Sequence, residues 1–317
     1  MKKLSMIMEF QQHHLRELQH IAQGFDIVVC PQRQDWEQHL RDSEILLTFL
    51  PPVNTEMLAL APELKWIQVL TAGVDNLPLE EIRSRGILLT NGRGIHQLHM
   101  AEYALAAMIN LARNWHVMAR NQFDHLWDRT MPQGEISGSV AGILGLGSIG
   151  REIARKASFM GMRVIGVKRT PQPVEFVEDV YGPADMGTVF RQSDYVINLL
   201  PYTPETDRII DRRFFDLMKP SAGFINLGRG PTVREADLVA ALQSRKLRAM
   251  VSDVFEEEPL PADSPLWTMP NVMLTPHIAG VSPRYMDRAM EIIRHNLTVY
   301  MTQKGEMINR VDLDSGY

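Results

Sequence analysis

The chain has little cysteine, little net charge and no long apolar run, and each shortage excludes a class of protein. Its one cysteine, Cys30, cannot form an intrachain disulfide or a cysteine-rich zinc site. The 33 basic and 38 acidic side chains give a net charge of −5, so no broad basic surface is expected for nucleic acid or an anionic membrane. No stretch approaches about 18 uncharged apolar residues, and we expect no membrane span.

The opening residues resemble a signal peptide only briefly. Lys2 and Lys3 precede a short apolar stretch that Glu9 interrupts, and no small-residue cleavage site follows. Nothing in the sequence requires an oxidising compartment. We therefore expect a cytoplasmic protein.

The remaining composition predicts two α/β domains. At about 100–200 residues per domain, 317 residues suggest two. Short apolar runs alternate with segments of helical spacing, which predicts parallel sheets with helical crossovers. The predicted strands are Asp26–Cys30, Ile45–Leu50, Trp66–Leu70, Ile87–Asn91, Val140–Gly145, Arg163–Val167, Tyr195–Leu200, Gly223–Leu227, Ala249–Val254 and Val272–Thr275. The helix Gln97–Arg113 and an arm over residues 121–138 separate the two series.

A glycine-rich turn follows the strand that begins at Val140. Gly145, Gly147 and Gly150 form the pattern G-x-G-x-x-G, and the next residues predict a helix to Phe159. In this context the glycines allow a tight turn, close approach to a pyrophosphate and close packing of helix on strand. The sequence therefore predicts a dinucleotide site. Its predicted members are Gly145, Leu146, Gly147, Ser148, Ile149 and Gly150.

The next strand ends in cations where NAD-selective sites carry a carboxylate. Lys168, Arg169 and Thr170 follow Val167. An arginine can bind a phosphate through two hydrogen bonds, and a lysine adds a point charge. These residues predict a preference for NADPH, with NAD as the alternative coenzyme.

Three charged residues follow predicted strands, at the edge where open α/β sheets bind ligands. Arg229 follows Phe224–Leu227, Glu258 lies in the segment after the strand ending at Val254, and His277 follows Thr275. A guanidinium can bind a carboxylate and polarise a ketone, and an imidazolium can donate a proton as hydride arrives. A carboxylate can orient that imidazole.

These motifs together resemble the D-isomer-specific 2-hydroxyacid dehydrogenases over nearly the full chain, and within them the NADPH-dependent glyoxylate/hydroxypyruvate reductases. The matching segments are Thr71–Asp75, Ala101-Glu102, Gly145–Gly150, Pro201–Thr206, Ile225–Gly230, Asp253–Pro259 and Pro276–Gly280. The resemblance implies reduction of small 2-oxo acids, with Arg229 as substrate anchor, His277 as acid/base and Glu258 as its partner. It leaves Glu256 and Glu257 as expected solvated side chains.

The resemblance also implies the other binding residues. Backbone N–H groups of Ala72 and Gly73 would bind the substrate carboxylate, beside Arg229 and His277. Asp253 would hold the nicotinamide amide. The cofactor groove would further include Leu200, Pro201, Thr206, Leu227, Gly228, His277 and Gly280.

The fold implied is two Rossmann-like domains separated by a cleft. Residues 1–95 with 283–317 would form a discontinuous, flavodoxin-like substrate domain, and residues 96–282 the dinucleotide-binding domain. A homodimer would form through the helix and arm of residues 97–135.

The sequence leaves two alternative functions open. A D-lactate- or D-3-phosphoglycerate-type dehydrogenase is one alternative, although no extra regulatory domain fits after Tyr317. A nucleotide-sensing corepressor of the same fold is a non-enzyme alternative. His13-His14 and His96 with His99 have no nearby carboxylate or cysteine cluster in the pattern of a metal site, so no metal site is expected.

Overall fold

The computed structural model describes residues 2–48, 53–74 and 76–313. The strands in chain order are β1 (Lys2–Met6), β2 (Phe25–Val29), β3 (Ser43–Thr48), β4 (Trp66–Val69), β5 (Leu88–Thr90), β6 (Val140–Leu144), β7 (Arg163–Val167), β8 (Asp179–Tyr181), β9 (Tyr195–Asn198), β10 (Gly223–Asn226), β11 (Ala249–Ser252) and β12 (Val272–Leu274). The helices are α1 (Gln12–Ile21), α2 (Trp36–His39), α3 (Thr55–Leu60), α4 (Leu79–Ser84), α5 (Gln97–Arg113), α6 (Trp115–Phe123), α7 (Ser148–Phe159), α8 (Met186–Gln192), α9 (Arg212–Phe215), α10 (Glu235–Gln243) and α11 (Tyr285–Thr302).

The chain forms two compact units. The smaller unit comprises the chain up to Ile95 and from Ser282 onward, and the larger comprises His96–Val281. Each holds one parallel sheet with helical crossovers. The predicted fold class of two parallel α/β sheets is confirmed.

The smaller unit has the strand order β2-β1-β3-β4-β5, which is the flavodoxin-like order. Both faces of this sheet are covered. Along β3, Leu46 packs into one buried cluster while Ile45 and Leu47 pack into the other, which includes residues of α11. This alternation follows from the two-residue repeat of a strand, and burial on both faces explains why the strand is apolar throughout.

The larger unit has the order β12-β11-β10-β9-β6-β7-β8. This is the dinucleotide-binding order, and it reverses direction between β6 and β9, where such sheets bind ligands. On β10, Ile225 and Phe224 pack into the clusters on opposite faces. Helix α5 contributes Ala104, Met108 and Leu111 to one of these clusters, so one face of this helix is buried in the core of the unit.

Three elements were absent from the sequence-based assignment. Strand β1 belongs to the smaller sheet, and it includes Lys2 and Lys3, the residues whose charge resembles the start of a signal peptide. Helix α6 lies between the predicted helix Gln97–Arg113 and the predicted arm, and it overlaps only the first three residues of that arm. The edge strand β8 has three residues. The predicted strand end at Leu50 lies outside the described residues.

Among the described residues, no helix combines the length and the apolar character that a membrane span needs. The single cysteine lies in the core of the smaller unit. Burial raises the pKa of the Cys30 thiol to about 11, so the thiol stays protonated and unreactive at neutral pH.

Candidate active site

The glycine turn joins β6 to α7 at the point where the strand order reverses. Gly145 has φ +107°, a conformation that residues with a Cβ rarely adopt. A Cβ on Gly150 would lie 2.2 Å from the Gly145 carbonyl oxygen, whereas a Cβ on Gly147 would meet nothing within 4 Å. The first turn of α7 presents backbone N–H groups without helical partners. This open, positively polarised surface fits a pyrophosphate.

The loop after β9 lies against this turn, since a Cβ on Gly145 would come within 3.2 Å of the Leu199 carbonyl oxygen. Leu200 is half-buried and Pro201 is exposed. The Thr206 hydroxyl donates to the Pro201 carbonyl at 2.6 Å and so folds the loop back on itself. Contact of these residues with a coenzyme stays a prediction.

Lys168, Arg169 and Thr170 directly follow β7. Lys168 is half-buried, and the other two side chains are exposed. A hydrogen bond from Thr203 lowers the pKa of Glu205, and the nearby Arg169 adds a smaller contribution in the same direction. Because β6 pairs in parallel with both β7 and β9, the residues after β7 lie at the same edge of the sheet as the glycine turn and the loop after β9.

The Arg229 loop is held by buried amides that the sequence analysis did not identify. Asn198 donates to the Asn226 Oδ1 and to the Thr232 hydroxyl, both at 2.9 Å. Thr232 in turn donates to the Arg229 carbonyl at 2.6 Å. Asn198 and Asn226 end neighbouring strands and are almost fully buried. Their side-chain bonds therefore fix the backbone over Leu227, Gly228 and Arg229.

His277 and Glu258 form a hydrogen-bonded pair, and their roles as acid and orienting carboxylate stay predictions. His277 Nδ1 lies 2.7 Å from Glu258 Oε2. Glu258 Oε1 accepts a hydrogen bond from the Phe255 N–H at 2.9 Å. The imidazole is 51% exposed, so its other nitrogen is accessible for proton transfer. This pairing orients the ring and places Nδ1 against the carboxylate.

The backbone of His277 has φ +52°, which costs of order 1–3 kcal/mol in a residue with a Cβ. Asp253 offsets this cost by accepting from three consecutive N–H groups. Its carbonyl accepts from His277 at 2.9 Å. Its carboxylate accepts from Ile278 at 2.9 Å and from Ala279 at 2.8 Å. Asp253 thus anchors the loop, whereas its predicted contact with a nicotinamide stays a prediction.

Three residues of α5 and its N-terminal boundary lie beside this loop, and sequence reasoning gave them no role. His99 Nε2 donates to the Gly280 carbonyl at 2.9 Å, and the Tyr103 hydroxyl bonds to the Thr275 hydroxyl. A Cβ on Gly280 would lie 3.3 Å from the His96 ring. Burial lowers the pKa of His96 to about 4, with His99 and Arg229 adding to the shift. His96 is therefore a neutral neighbour of both Arg229 and the His277 loop.

Two expectations about side chains need correction. Glu256 is not a solvated residue: its carboxylate pairs with Arg208 and accepts from the Glu235 N–H at 3.3 Å. His13 and His14 do have a carboxylate neighbour, since Asp287 Oδ1 lies 3.0 Å from His14 Nε2. A metal on that nitrogen would move the ring proton to Nδ1, which is buried without a hydrogen-bond partner. The group is therefore a poor metal site.

Ala72 and Gly73 belong to the smaller unit, in the loop after β4. The Ala72 carbonyl accepts from Asn91 at 2.9 Å, and the Gly73 carbonyl accepts from the Thr71 hydroxyl at 2.8 Å. Both carbonyls are thus bonded within this unit. Binding of a carboxylate by the two N–H groups stays a prediction, and Asp75 of the same motif lies outside the described residues.

A dinucleotide-binding sheet that presents an arginine and a His–Glu pair at its carboxyl edge is typical of nicotinamide-dependent dehydrogenases. The family model described as "D-isomer specific 2-hydroxyacid dehydrogenase, NAD binding domain" matches residues 105–279. Glyoxylate/hydroxypyruvate reductase A of Yersinia enterocolitica is 33% identical over 281 residues, which cover 87% of this chain and 88% of that protein.

Solved structures of other proteins are also similar to this chain. A D-isomer specific 2-hydroxyacid dehydrogenase family protein from Aeromonas salmonicida has a TM-score of 0.87 at 33% identity, over 99% of both chains. The NADPH-dependent glyoxylate/hydroxypyruvate reductase of Sinorhizobium meliloti, solved with NADP and sulfate, has a TM-score of 0.84 at 26% identity over 100% of both chains.

The chain belongs to the D-isomer specific 2-hydroxyacid dehydrogenase family. It is an NAD(P)-dependent oxidoreductase, and the resemblance inferred from its motifs is confirmed.

Proposed function

We propose that this protein reduces small 2-oxo acids to 2-hydroxy acids with NADPH, and that glyoxylate and hydroxypyruvate are its leading substrates. The observation that carries the proposal is the His277–Glu258 pair, joined at 2.7 Å on a loop at the carboxyl edge of the dinucleotide-binding sheet. The relatives named glyoxylate/hydroxypyruvate reductase support this substrate class.

Each charged residue has a distinct role in the proposal. Arg229 binds the substrate carboxylate and polarises the ketone. His277 donates its proton to the carbonyl oxygen as the carbon is reduced. Glu258 orients the ring through their hydrogen bond. The coenzyme, when bound at the turn over residues 145–150, supplies the hydride.

The coenzyme preference rests on the cations after β7. Lys168 and Arg169 stand where NAD-selective sites place a carboxylate, and a 2′-phosphate would bind there with Thr170. The reductase of Sinorhizobium meliloti, solved with NADP, supports this assignment by analogy. A dehydrogenase of the D-lactate or D-3-phosphoglycerate type is the enzymatic alternative.

A substrate panel tests the proposal. Glyoxylate, hydroxypyruvate, pyruvate and 3-phosphohydroxypyruvate would each be assayed with NADPH and with NADH, followed at the nicotinamide absorbance. We expect the highest kcat/KM for glyoxylate or hydroxypyruvate with NADPH. A higher value for pyruvate or for the phosphorylated acid would favour the alternatives. Tight NADPH binding without turnover of any oxo acid would identify a nucleotide-sensing protein instead.

The variant Arg229→Ala tests the substrate anchor. We expect KM for the oxo acid to rise and kcat to fall, because the guanidinium contributes to both binding and polarisation. NADPH affinity, measured by fluorescence titration, should stay near the wild-type value. An unchanged KM would contradict the assignment of Arg229.

We also propose a homodimer formed through the helix and arm of residues 97–135, in the cytoplasm. The arm exposes large apolar side chains, with Phe123 84% and Trp127 89% accessible, and such side chains are typical of buried contacts between subunits. Light scattering should give a dimer for the wild type and a monomer for Trp127→Ser. Trp267→Ser, which changes another exposed tryptophan, is the matched control and should stay dimeric.

A further inference from the structure

The loop that carries His277 is held at both ends by one helix. Thr275 begins the loop and bonds to Tyr103, and Gly280 ends it and bonds to His99. Residues four apart on an α-helix lie on the same face, one turn above the other. His99 and Tyr103 therefore present two side-chain bonds from one face of α5 to the two ends of the same loop.

The polarity of the Tyr103 contact follows from the chain of bonds. The Thr275 hydroxyl donates to the Asp253 carboxylate at 2.5 Å. Because a hydroxyl has one proton to donate, its oxygen must accept from the Tyr103 hydroxyl. Burial raises the pKa of Tyr103, which keeps this donor protonated. The bonds run in one direction, from Tyr103 through Thr275 to Asp253.

Asp253 connects the Tyr103–Thr275 bond to the backbone around His277. The same Oδ1 that accepts from Thr275 also accepts from the Ile278 N–H, and Oδ2 accepts from Ala279. His277 lies between Thr275 and these amides, with its backbone in the left-handed region. Loss of the Tyr103 bond therefore loosens the support of the position where the imidazole is held.

We propose that Tyr103 and His99 are positioning residues for the acid His277, acting through Thr275 and Asp253 at one end of the loop and through Gly280 at the other. Neither residue needs to touch the substrate for this role. The inference rests on the proposed function, since it matters for catalysis only if His277 donates the proton.

The variant Tyr103→Phe removes one hydroxyl and keeps the ring. We expect kcat to fall about 10-fold, because a displaced catalytic group loses rate without losing binding energy. KM for the oxo acid and Kd for NADPH should stay within about twofold. Hydrogen exchange of the loop over residues 275–280 should become faster than in the wild type. The alkaline limb of the kcat/KM profile, where loss of the His277 proton ends reduction, should also move, because the ring would be held less firmly against Glu258.

Further variants separate positioning from general stability. Thr275→Val should lower kcat as Tyr103→Phe does, Thr275→Ser should restore most of it, and the double variant Tyr103→Phe/Thr275→Val should be no worse than Thr275→Val. His99→Phe keeps a ring, removes the donor to Gly280 and should also lower kcat. Tyr195→Phe is the matched control, because it removes the hydroxyl of a different, buried tyrosine in the same unit. It should leave kcat unchanged.

The outcomes distinguish this inference from the proposed function. If Tyr103→Phe keeps wild-type kcat, pH profile and loop exchange while His277→Gln is inactive, the positioning role is wrong and the proposed function stands. If His277→Gln keeps wild-type turnover, the proposed function itself fails. If Thr275→Val does not fold, Tyr103→Phe and Thr275→Ser still decide between these results.

Discussion

Two loops at the carboxyl edge of the larger sheet are built in opposite ways. The turn after β6 depends on glycines, because Gly145 needs a positive φ and Gly150 has no room for a Cβ. The loop after β12 places a histidine at φ +52° and depends on side chains up to 181 positions away. A loop that offers backbone N–H groups to phosphate can be specified locally, whereas a loop that presents a side chain needs distant support.

The largest expected effect separates the two loops by function. His277→Gln should lower kcat about 10²- to 10⁴-fold, the usual contribution of a positioned acid. Kd for NADPH should change little, because the coenzyme phosphates are assigned to the other loop. Steady-state kinetics and fluorescence titration measure the two quantities. Near-wild-type turnover at neutral pH would show that His277 is not the acid.

The next effect tests why each glycine of the turn is needed. Gly150 is expected to be needed for packing, and Gly147 for close approach of the coenzyme. Gly150→Ala places a methyl group against the Gly145 carbonyl and should lower the free energy of unfolding by about 1–3 kcal/mol, as overpacking does. Gly147→Ala meets open space, so it should fold normally while Kd for NADPH rises. Urea unfolding and coenzyme titration check both. Equal stability losses in the two variants would contradict this division.

The difference between these loops also explains what the sequence could predict. The glycine turn, the cations after β7 and the predicted strands of both sheets follow from local patterns. Helices α5 and α7 begin and end at the residues that the pattern predicts. Such elements are long and periodic, or they carry residue types that only one backbone conformation requires.

The remaining features depend on contacts that no local pattern records. The edge strand β8 has three residues, and α6 follows α5 through Asn114 in the left-handed conformation. The Asn198–Asn226 pair joins ends of separate strands. Tyr103 carries no motif, and its role emerges only when Thr275 is brought to it across 172 positions. The spacing of His96 and His99 bears only on metal binding, which it does not favour, and nothing local in the sequence indicates that His99 supports a loop.

A smaller effect concerns the coenzyme loop after β7, which adds side-chain recognition to the backbone turn. Arg169→Ser should lower the ratio of kcat/KM for NADPH over NADH about 10-fold, because a charge-assisted phosphate contact is lost. Lys168→Ser should lower the same ratio. The value of kcat at saturating NADPH should stay unchanged, in contrast to His277→Gln. A wild-type ratio near unity would overturn the assignment of NADPH preference.

The smallest expected effect concerns the pH dependence of stability at His116, a buried histidine that belongs to neither loop. Burial lowers the pKa of His116 from 6.5 to about 4, with Arg120 and Arg248 adding to the shift. Between these values the unfolded chain binds a proton that the folded chain does not, so stability falls as pH decreases, by about 1.4 kcal/mol per pH unit. His116→Gln should remove this part of the loss between pH 6.5 and pH 5, measured by urea unfolding. The pH profile of kcat should stay as in the wild type, because the bonds of His99 and Tyr103 to the His277 loop remain. A change of that profile in His116→Gln would show that His116 also influences the His277 loop.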